Sequence, residues 1–206
     1  KRKGFLNDAI VYGDSAKSDF WWSWGDINGL AHFRIAEHNR RFINYLEKNL
    51  IHFDENMRQS IYGEGAAFSW GTTTTFLGIG LKAILFKKLT GSDRYDNLLA
   101  SQRDYVLGKN PWGISFIYNI GENHTKNFHH QVAYFLNGYL PGGIAAGPAP
   151  KKILDNYNIE RKNFIYNAFN SDDVIYYDDR SDYITNEPTI FTNATAIFLF
   201  GVLSKK

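Results

Sequence analysis

The sequence predicts an all-α fold in which exposed and buried helices alternate, and three features carry that prediction. Between Asp26 and Leu50 the apolar residues Ile27, Leu30, Ala31, Ile35, Phe42, Leu46 and Leu50 fall near one stripe, while Arg34, Glu37, Arg41 and Lys48 lie elsewhere. Between Trp70 and Leu89 the sequence is apolar nearly all round, through Phe76, Leu77, Ile79, Leu81, Ile84, Leu85 and Phe86. No strand-rich block and no linker interrupts the chain.

Each element follows from its own residues. A single apolar stripe opposite a charged face makes the first segment an amphipathic outer helix. A segment apolar on every side must be covered on every side, so the second reads as an inner-layer helix. Thr90-Gly91-Ser92-Asp93 then supplies a glycine stop and an N-cap, and Tyr95, Leu98, Leu99, Gln102 and Val106 continue at helical spacing until Gly108 and Pro111. These two helices form an antiparallel hairpin. The glycine-rich stretch from Asn110 to Pro150 reads as a long loop, the kind of segment that carries function on a helical scaffold. A further helix is expected around Ile159 to Phe169, and the last from about Pro188 to Leu203, apolar on most faces.

Composition narrows the function classes. At 206 residues and 44% hydrophobic content, the chain supports one domain with a substantial core and is not a disordered segment. The net charge is only +2, and Arg34, Arg40, Arg41, Lys48 and Arg58 are interleaved with acids, which argues for a solvated surface and against nucleic-acid binding. Lys82, Lys87 and Lys88 break the richest apolar run, so no membrane span is expected. Cysteine is absent, which removes disulfides and thiolate metal sites. The opening Lys1-Arg2-Lys3-Gly4-Phe5-Leu6 lacks the apolar region and cleavage site of a secretory signal.

The densest chemistry lies between Tyr176 and Ala194, where Asp178, Asp179, Asp182, Tyr176, Tyr177 and Tyr183 precede Glu187 and a helix start at Pro188. Flat rings offer apolar faces to sugar rings, carboxylates bind hydroxyls, and one carboxylic acid can protonate a leaving oxygen. The segment therefore points to sugar chemistry. A helix N-terminus favours the charged form of an adjacent carboxyl, whereas an acid catalyst must hold a proton. Partial burial of Glu187 and repulsion from Asp178, Asp179 and Asp182 are expected to oppose the dipole.

This segment resembles the C-terminal active-site motif of glycoside hydrolase family 9, the inverting endoglucanases once called cellulase family E. Tyr176, Asp178, Tyr183, Glu187, Thr189 and Asn193-Ala194 occupy the motif's spaced positions. Trp70-Gly71-Thr72-Thr73 is similar to the family's Trp-Gly-Ser helix start, and Asp104 to Gly113 is similar to its Asp-Tyr-x-Leu-Gly-x-Asn-Pro-x-Gly run. His129-His130-Gln131 resembles its His-His-Arg substrate-binding motif, followed by a Leu140-Pro141-Gly142 loop. The resemblance implies an (α/α)6 barrel, of which the chain holds about half the helices, and so its C-terminal half. It implies Glu187 as general acid, with His129, Gln131, Tyr183 and Asp178 contacting a polysaccharide; Trp70 is a candidate stacking platform for the same substrate, with a buried structural tryptophan as its alternative reading. It also implies a secreted or periplasmic protein, because a polymeric substrate is too large to enter a cell.

Departures from the pattern matter as much. The family's water-activating aspartate sits in an Asp-x-Gly-Asp segment, and Gly13-Asp14, Asp19 and Gly25-Asp26 lack that spacing. The chain alone is expected to be inactive, its partner being the missing N-terminal half of the barrel. Gln131 stands where the family has arginine, Phe128 where it has proline, and Phe191-Thr192 where an aspartate and tyrosine are common. These changes keep two alternatives in view: an exo-acting glucosaminidase, favoured if extra acids line a closed subsite, and a non-catalytic carbohydrate-binding relative. Trp21, Trp22 and Trp24 read as core residues rather than a subsite wall, and Trp112 suits either role. No cofactor is expected: adjacent His129-His130 lacks zinc spacing, and the acids from Asp172 to Asp182 lack the calcium-loop spacing of an EF-hand.

Overall fold

The computed structural model of the chain describes residues 2–205, and its regular secondary structure is helical apart from one short antiparallel strand pair and isolated bridges, with long loops between the helices. Helices α1 (Arg2–Ala16), α2 (Asn28–Ala36), α3 (Ile43–Gln59), α4 (Thr72–Thr90) and α5 (Asp96–Val106) form the first half. After a long loop come the short helices α6 (Gln131–Phe135), α7 (Lys151–Leu154) and α8 (Tyr183–Asn186), then α9 (Ile190–Leu203). Strands β1 (Ala149–Pro150) and β2 (Val174–Ile175) pair Ala149 with Ile175 and Pro150 with Val174.

Helix α4 is the axis of the core. It is buried from Thr72 to Phe86, packs against α2, α3, α5 and α9, and stops at Gly91, whose φ of +75° suits glycine. Two glycines allow close approach on its faces. A Cβ on Gly78 would collide with the Trp22 indole, and one on Gly80 would lie 2.7 Å from Leu199 of α9. The inner-layer reading of this segment and the hairpin with α5 therefore hold.

Two expectations are corrected. The stripe from Asp26 to Leu50 is not one helix: Asn39 leaves helical geometry, its side chain accepts from the Arg41 amide, and a 3₁₀ turn (Arg40–Phe42) leads into α3. The helix expected around 159–169 is also absent, apart from a 3₁₀ turn at Asn167–Phe169. The amides of Lys162 and Asn163 are captured by the Asp179 carboxylate, and Arg161 is captured by Asp182. The Asn163 amide, which a helix from Ile159 would have paired with the Ile159 carbonyl, is thus taken by a side-chain acceptor.

Among the described residues, no helix is long and apolar enough to cross a membrane. Large apolar side chains are nevertheless exposed on α9 (Ile190, Ile197 and Phe198) and on α6 (Phe135).

Candidate active site

The site is built on the turn between α8 and α9. Asp182 caps α8: its Oδ1 accepts from the amides of Ile184 (2.9 Å) and Thr185 (3.2 Å), and its Oδ2 accepts from Arg161 Nε at 2.7 Å. Thr189 caps α9 through the Thr192 amide at 3.2 Å. Glu187 lies between the two caps, exposed, and outside the first turn of α9. The helix therefore starts two residues later than Pro188, and its dipole acts on Glu187 from further away.

Asn186 fixes the backbone immediately before Glu187. It is fully buried; its Oδ1 accepts from the Tyr176 hydroxyl at 3.0 Å, and its Nδ2 donates to the carbonyls of Tyr177 and Asp179. Its own carbonyl accepts from the His129 amide at 3.1 Å, tying the histidine segment to the Glu187 turn. The His129 Nδ1 lies 2.8 Å from the Arg180 carbonyl. A carbonyl can only accept, so Nδ1 carries the hydrogen and Nε2 is the ring nitrogen left for a ligand.

Rings gather at this point. His129 meets Tyr183 edge-on at 5.6 Å, Tyr183 lies 5.8 Å from Trp70, and Tyr157 contacts both Tyr183 and Trp70. Tyr157 had no signal in the sequence, because only the fold brings it to Trp70. Glu187 lines a cleft of about 430 Å³ with Trp21, Trp24, Trp70, Thr74, Thr75 and Phe191. Gln131 lines a neighbouring hollow of about 570 Å³ with His129, His130, Tyr134 and Arg180, where the Arg180 guanidinium stacks over Tyr134 at 5.1 Å. A third hollow of about 360 Å³ shares His130 with the second and Thr189 with the first. The three form a surface groove, and Glu187 is the one acid that lines it among the described residues.

The neighbouring aspartates do not behave as expected. Asp178, read as a substrate contact, is 3% exposed and accepts from the amides of Lys126 and Asn127 and from the Asn127 side chain. Burial raises its pKa in spite of those bonds. Burial also pushes Asp179 upward, but the amides of Lys162, Ser181 and Asn163 outweigh it and leave the carboxyl below its ordinary value. With Asp182 held by its cap and Arg161, all three acids order the loop that carries Glu187 instead of repelling its charge. Asp14 is engaged by Arg41 and Tyr45, Asp19 by Lys82, and Asp26 by the Asn28 amide. Among the described residues, no cluster of three or more His, Asp or Glu could hold a metal ion.

The glycosyl hydrolase family 9 model matches residues 1–200. The chain belongs to this family. A xyloglucan-specific endo-beta-1,4-glucanase of Bacteroides ovatus is 24% identical over 199 residues, covering 87% of this chain and 32% of the relative. Endoglucanase A of Bacillus pumilus is 26% identical over 174 residues, covering 78% and 25%. A solved metagenome-derived family 9 endoglucanase superposes with a TM-score of 0.70 at 25% identity, covering 86% of this chain and 32% of that one. The chain thus spans about a quarter to a third of the length of these proteins. The fold is the partial (α/α)6 toroid of family 9 glycoside hydrolases.

Proposed function

We infer that the chain is the C-terminal portion of an inverting, endoglucanase-like catalytic domain, with Glu187 as general acid and β-linked glucan as substrate. One observation carries this reading: among the described residues, the exposed Glu187 is the sole acid on a groove walled by Trp21, Trp24, Trp70 and Phe191. As the bond between the anomeric carbon and the bridging oxygen breaks, Glu187 gives its proton to that oxygen. An aspartate from outside this chain takes a proton from the water that attacks the opposite face, at the ~6.5–9.5 Å carboxyl separation of inverting enzymes. In this reading His129, through Nε2, and Tyr183 bind sugar hydroxyls, Trp70 stacks on a ring, and Gln131 and Arg180 bind further along.

The rest of the barrel has two tasks in this reading. It covers the apolar side chains on α9 and α6, and it closes the groove over Glu187, supplying the desolvation that acid catalysis needs. A polymeric substrate also implies that the protein acts outside the cell. The test is Glu187→Gln in the intact protein, assayed on cellohexaose, soluble glucan and xyloglucan. Turnover should fall roughly 10²–10⁴-fold with an unchanged circular dichroism spectrum. Equal activity of mutant and wild type removes Glu187 from the role. Tight binding with no cleavage by the wild type identifies the non-catalytic relative instead.

A further inference from the structure

Tyr176 opens the segment that carries Glu187, yet it does not reach the groove. Its ring is fully buried, met edge-on by Phe116 at 5.0 Å and by Trp112 at 5.9 Å, and its amide donates to Asn170 Oδ1 at 3.0 Å. The Trp112 indole donates to the same oxygen at 2.8 Å, so the ring and its backbone are held together. Burial pushes the phenol well above its ordinary pKa, and the hydroxyl keeps its hydrogen at any pH near neutral or below. A buried hydroxyl is costly unless it is bonded, and this one makes its bonds inside the protein.

Those bonds have a direction. The Asn186 Nδ2 donates to the carbonyls of Tyr177 and Asp179, which turns Oδ1 toward Tyr176. An amide oxygen can only accept, so the Tyr176 hydrogen points to Asn186 at 3.0 Å, and the Tyr176 oxygen accepts from the Thr125 hydroxyl at 2.7 Å. Thr125 is itself buried, and its amide donates to the Ser115 carbonyl at 2.9 Å; the next residue, Phe116, donates its amide to the Val106 carbonyl at the end of α5. At the other end of the chain of hydroxyls, the peptide unit joining Asn186 to Glu187 is planar. Its carbonyl accepts from the His129 amide and its nitrogen belongs to Glu187, so a tilt of this one plane displaces both residues.

We propose that Tyr176 is a positioning residue for the reaction: the one-way chain from Thr125 through Tyr176 to Asn186 sets the tilt of the Asn186-Glu187 peptide, and with it the spacing of Glu187 and His129. The proposal rests on the reading of Glu187 as general acid. A carboxyl displaced by about 1 Å delivers its proton poorly, a loss of up to roughly 10²-fold. A substrate whose leaving group departs without a proton is spared that loss.

The test is Tyr176→Phe in the intact protein, which removes one oxygen and keeps the ring, assayed on cellohexaose and on 2,4-dinitrophenyl β-cellobioside, whose phenolate leaves unprotonated. On cellohexaose kcat should fall roughly 10–100-fold with KM within about twofold, while turnover of the aryl cellobioside stays within about threefold. Thr125→Val removes the outer donor and should cost less in the same direction; added to Tyr176→Phe it should cost nothing further. Equal loss on the two substrates, unchanged activity, or additive costs of the two variants overturn the proposal. Where Tyr176→Phe fails to fold, Thr125→Val carries the same substrate comparison. Amide hydrogen exchange at His129 separates this proposal from the one beneath it. Should Glu187→Gln keep full turnover while Tyr176→Phe speeds exchange at His129, the acid assignment fails and the positioning of the turn stands. Exchange at His129 unchanged by Tyr176→Phe overturns the positioning whatever the activity.

Discussion

Lys82 sits in the middle of α4 with no exposed surface, and its ammonium lies 2.7 Å from the carboxylate of Asp19, itself 3% exposed. At an effective dielectric constant of about 20, charges at that distance attract by about 6 kcal/mol. Removing each ion from water costs several kcal/mol, so the pair roughly breaks even while either partner alone is a liability. Burial pulls the lysine below its ordinary pKa although the charge and hydrogen bond of Asp19 resist this, which agrees with a large desolvation cost. Asp19→Ala leaves the ammonium hydrogen-bonded only to the Trp21 carbonyl and the Asn49 side chain, with Asp26 as the remaining nearby carboxylate, and should cost about 3–5 kcal/mol. At about 2–4 °C per kcal/mol for a body of this size, the melting temperature should fall by roughly 6–20 °C. The double replacement Lys82→Met with Asp19→Leu should recover most of that loss, because it removes both charges and keeps the volume. The sign of the pH response follows from the lowered pKa: between the folded value and the ordinary one near ~10.4, the unfolded chain binds more protons, so stability rises with pH. Raising the pH from about 7 to 10 should therefore partly rescue Asp19→Ala. Thermal and urea unfolding of the intact protein measure all of this. A cost below about 1 kcal/mol for Asp19→Ala, or a double variant as unstable as the sum of the singles, would refute the argument.

Two further predictions concern the Glu187 turn. The Thr192 hydroxyl is buried between those of Thr74 and Thr189, the latter at 2.7 Å, so Thr192→Val should cost about 1–3 kcal/mol and Thr192→Ser should restore it. Because Thr189 starts the helix two residues after Glu187, the valine variant should lower kcat more than it raises KM. Asp179 has a lowered pKa, so its contribution is present above the ordinary carboxylate value near ~3.9 and is lost as pH falls through the folded value. Unfolding curves should show Asp179→Asn losing stability at pH 6 and converging on wild type in acid; a constant difference down to pH 2 would contradict the assignment.

The helices legible in the sequence were those whose environment is uniform. Thr72 to Phe86 is apolar because α4 is covered on every side, and Gly91 marks its end because a left-handed residue is needed there. Pattern failed where a single side chain redirected the backbone. Asn39 breaks an otherwise continuous stripe, and Asp179 gathers amides from residues whose spacing suits a helix. Helix α1 went unread because its polar and apolar residues follow no strong stripe, although Ile10 and Ala9 pack beneath Phe42 and Ile35.

At the site, residue types were legible and their directions were not. Proximity in sequence suggested that Asp178, Asp179 and Asp182 would face Glu187, yet a carboxylate among free amides is pulled toward the donors. Two separate loop segments offer those donors, at Lys126 and Asn127 to Asp178 and at Lys162 and Asn163 to Asp179. Every acid turned inward stiffens the turn and leaves Glu187 as the acid facing the groove. The same logic separates the tryptophans: Gly78 makes room for Trp22 on α4, and the bridge from Ser23 to Asp26 sends Trp24 the other way. Composition fixes neither outcome, because both depend on which backbone groups remain unpaired after the helices have formed. Substrate recognition here thus depends on the hydrogen-bond demands of two short turns, and a variant that satisfies those demands differently should move the groove before it unfolds the chain.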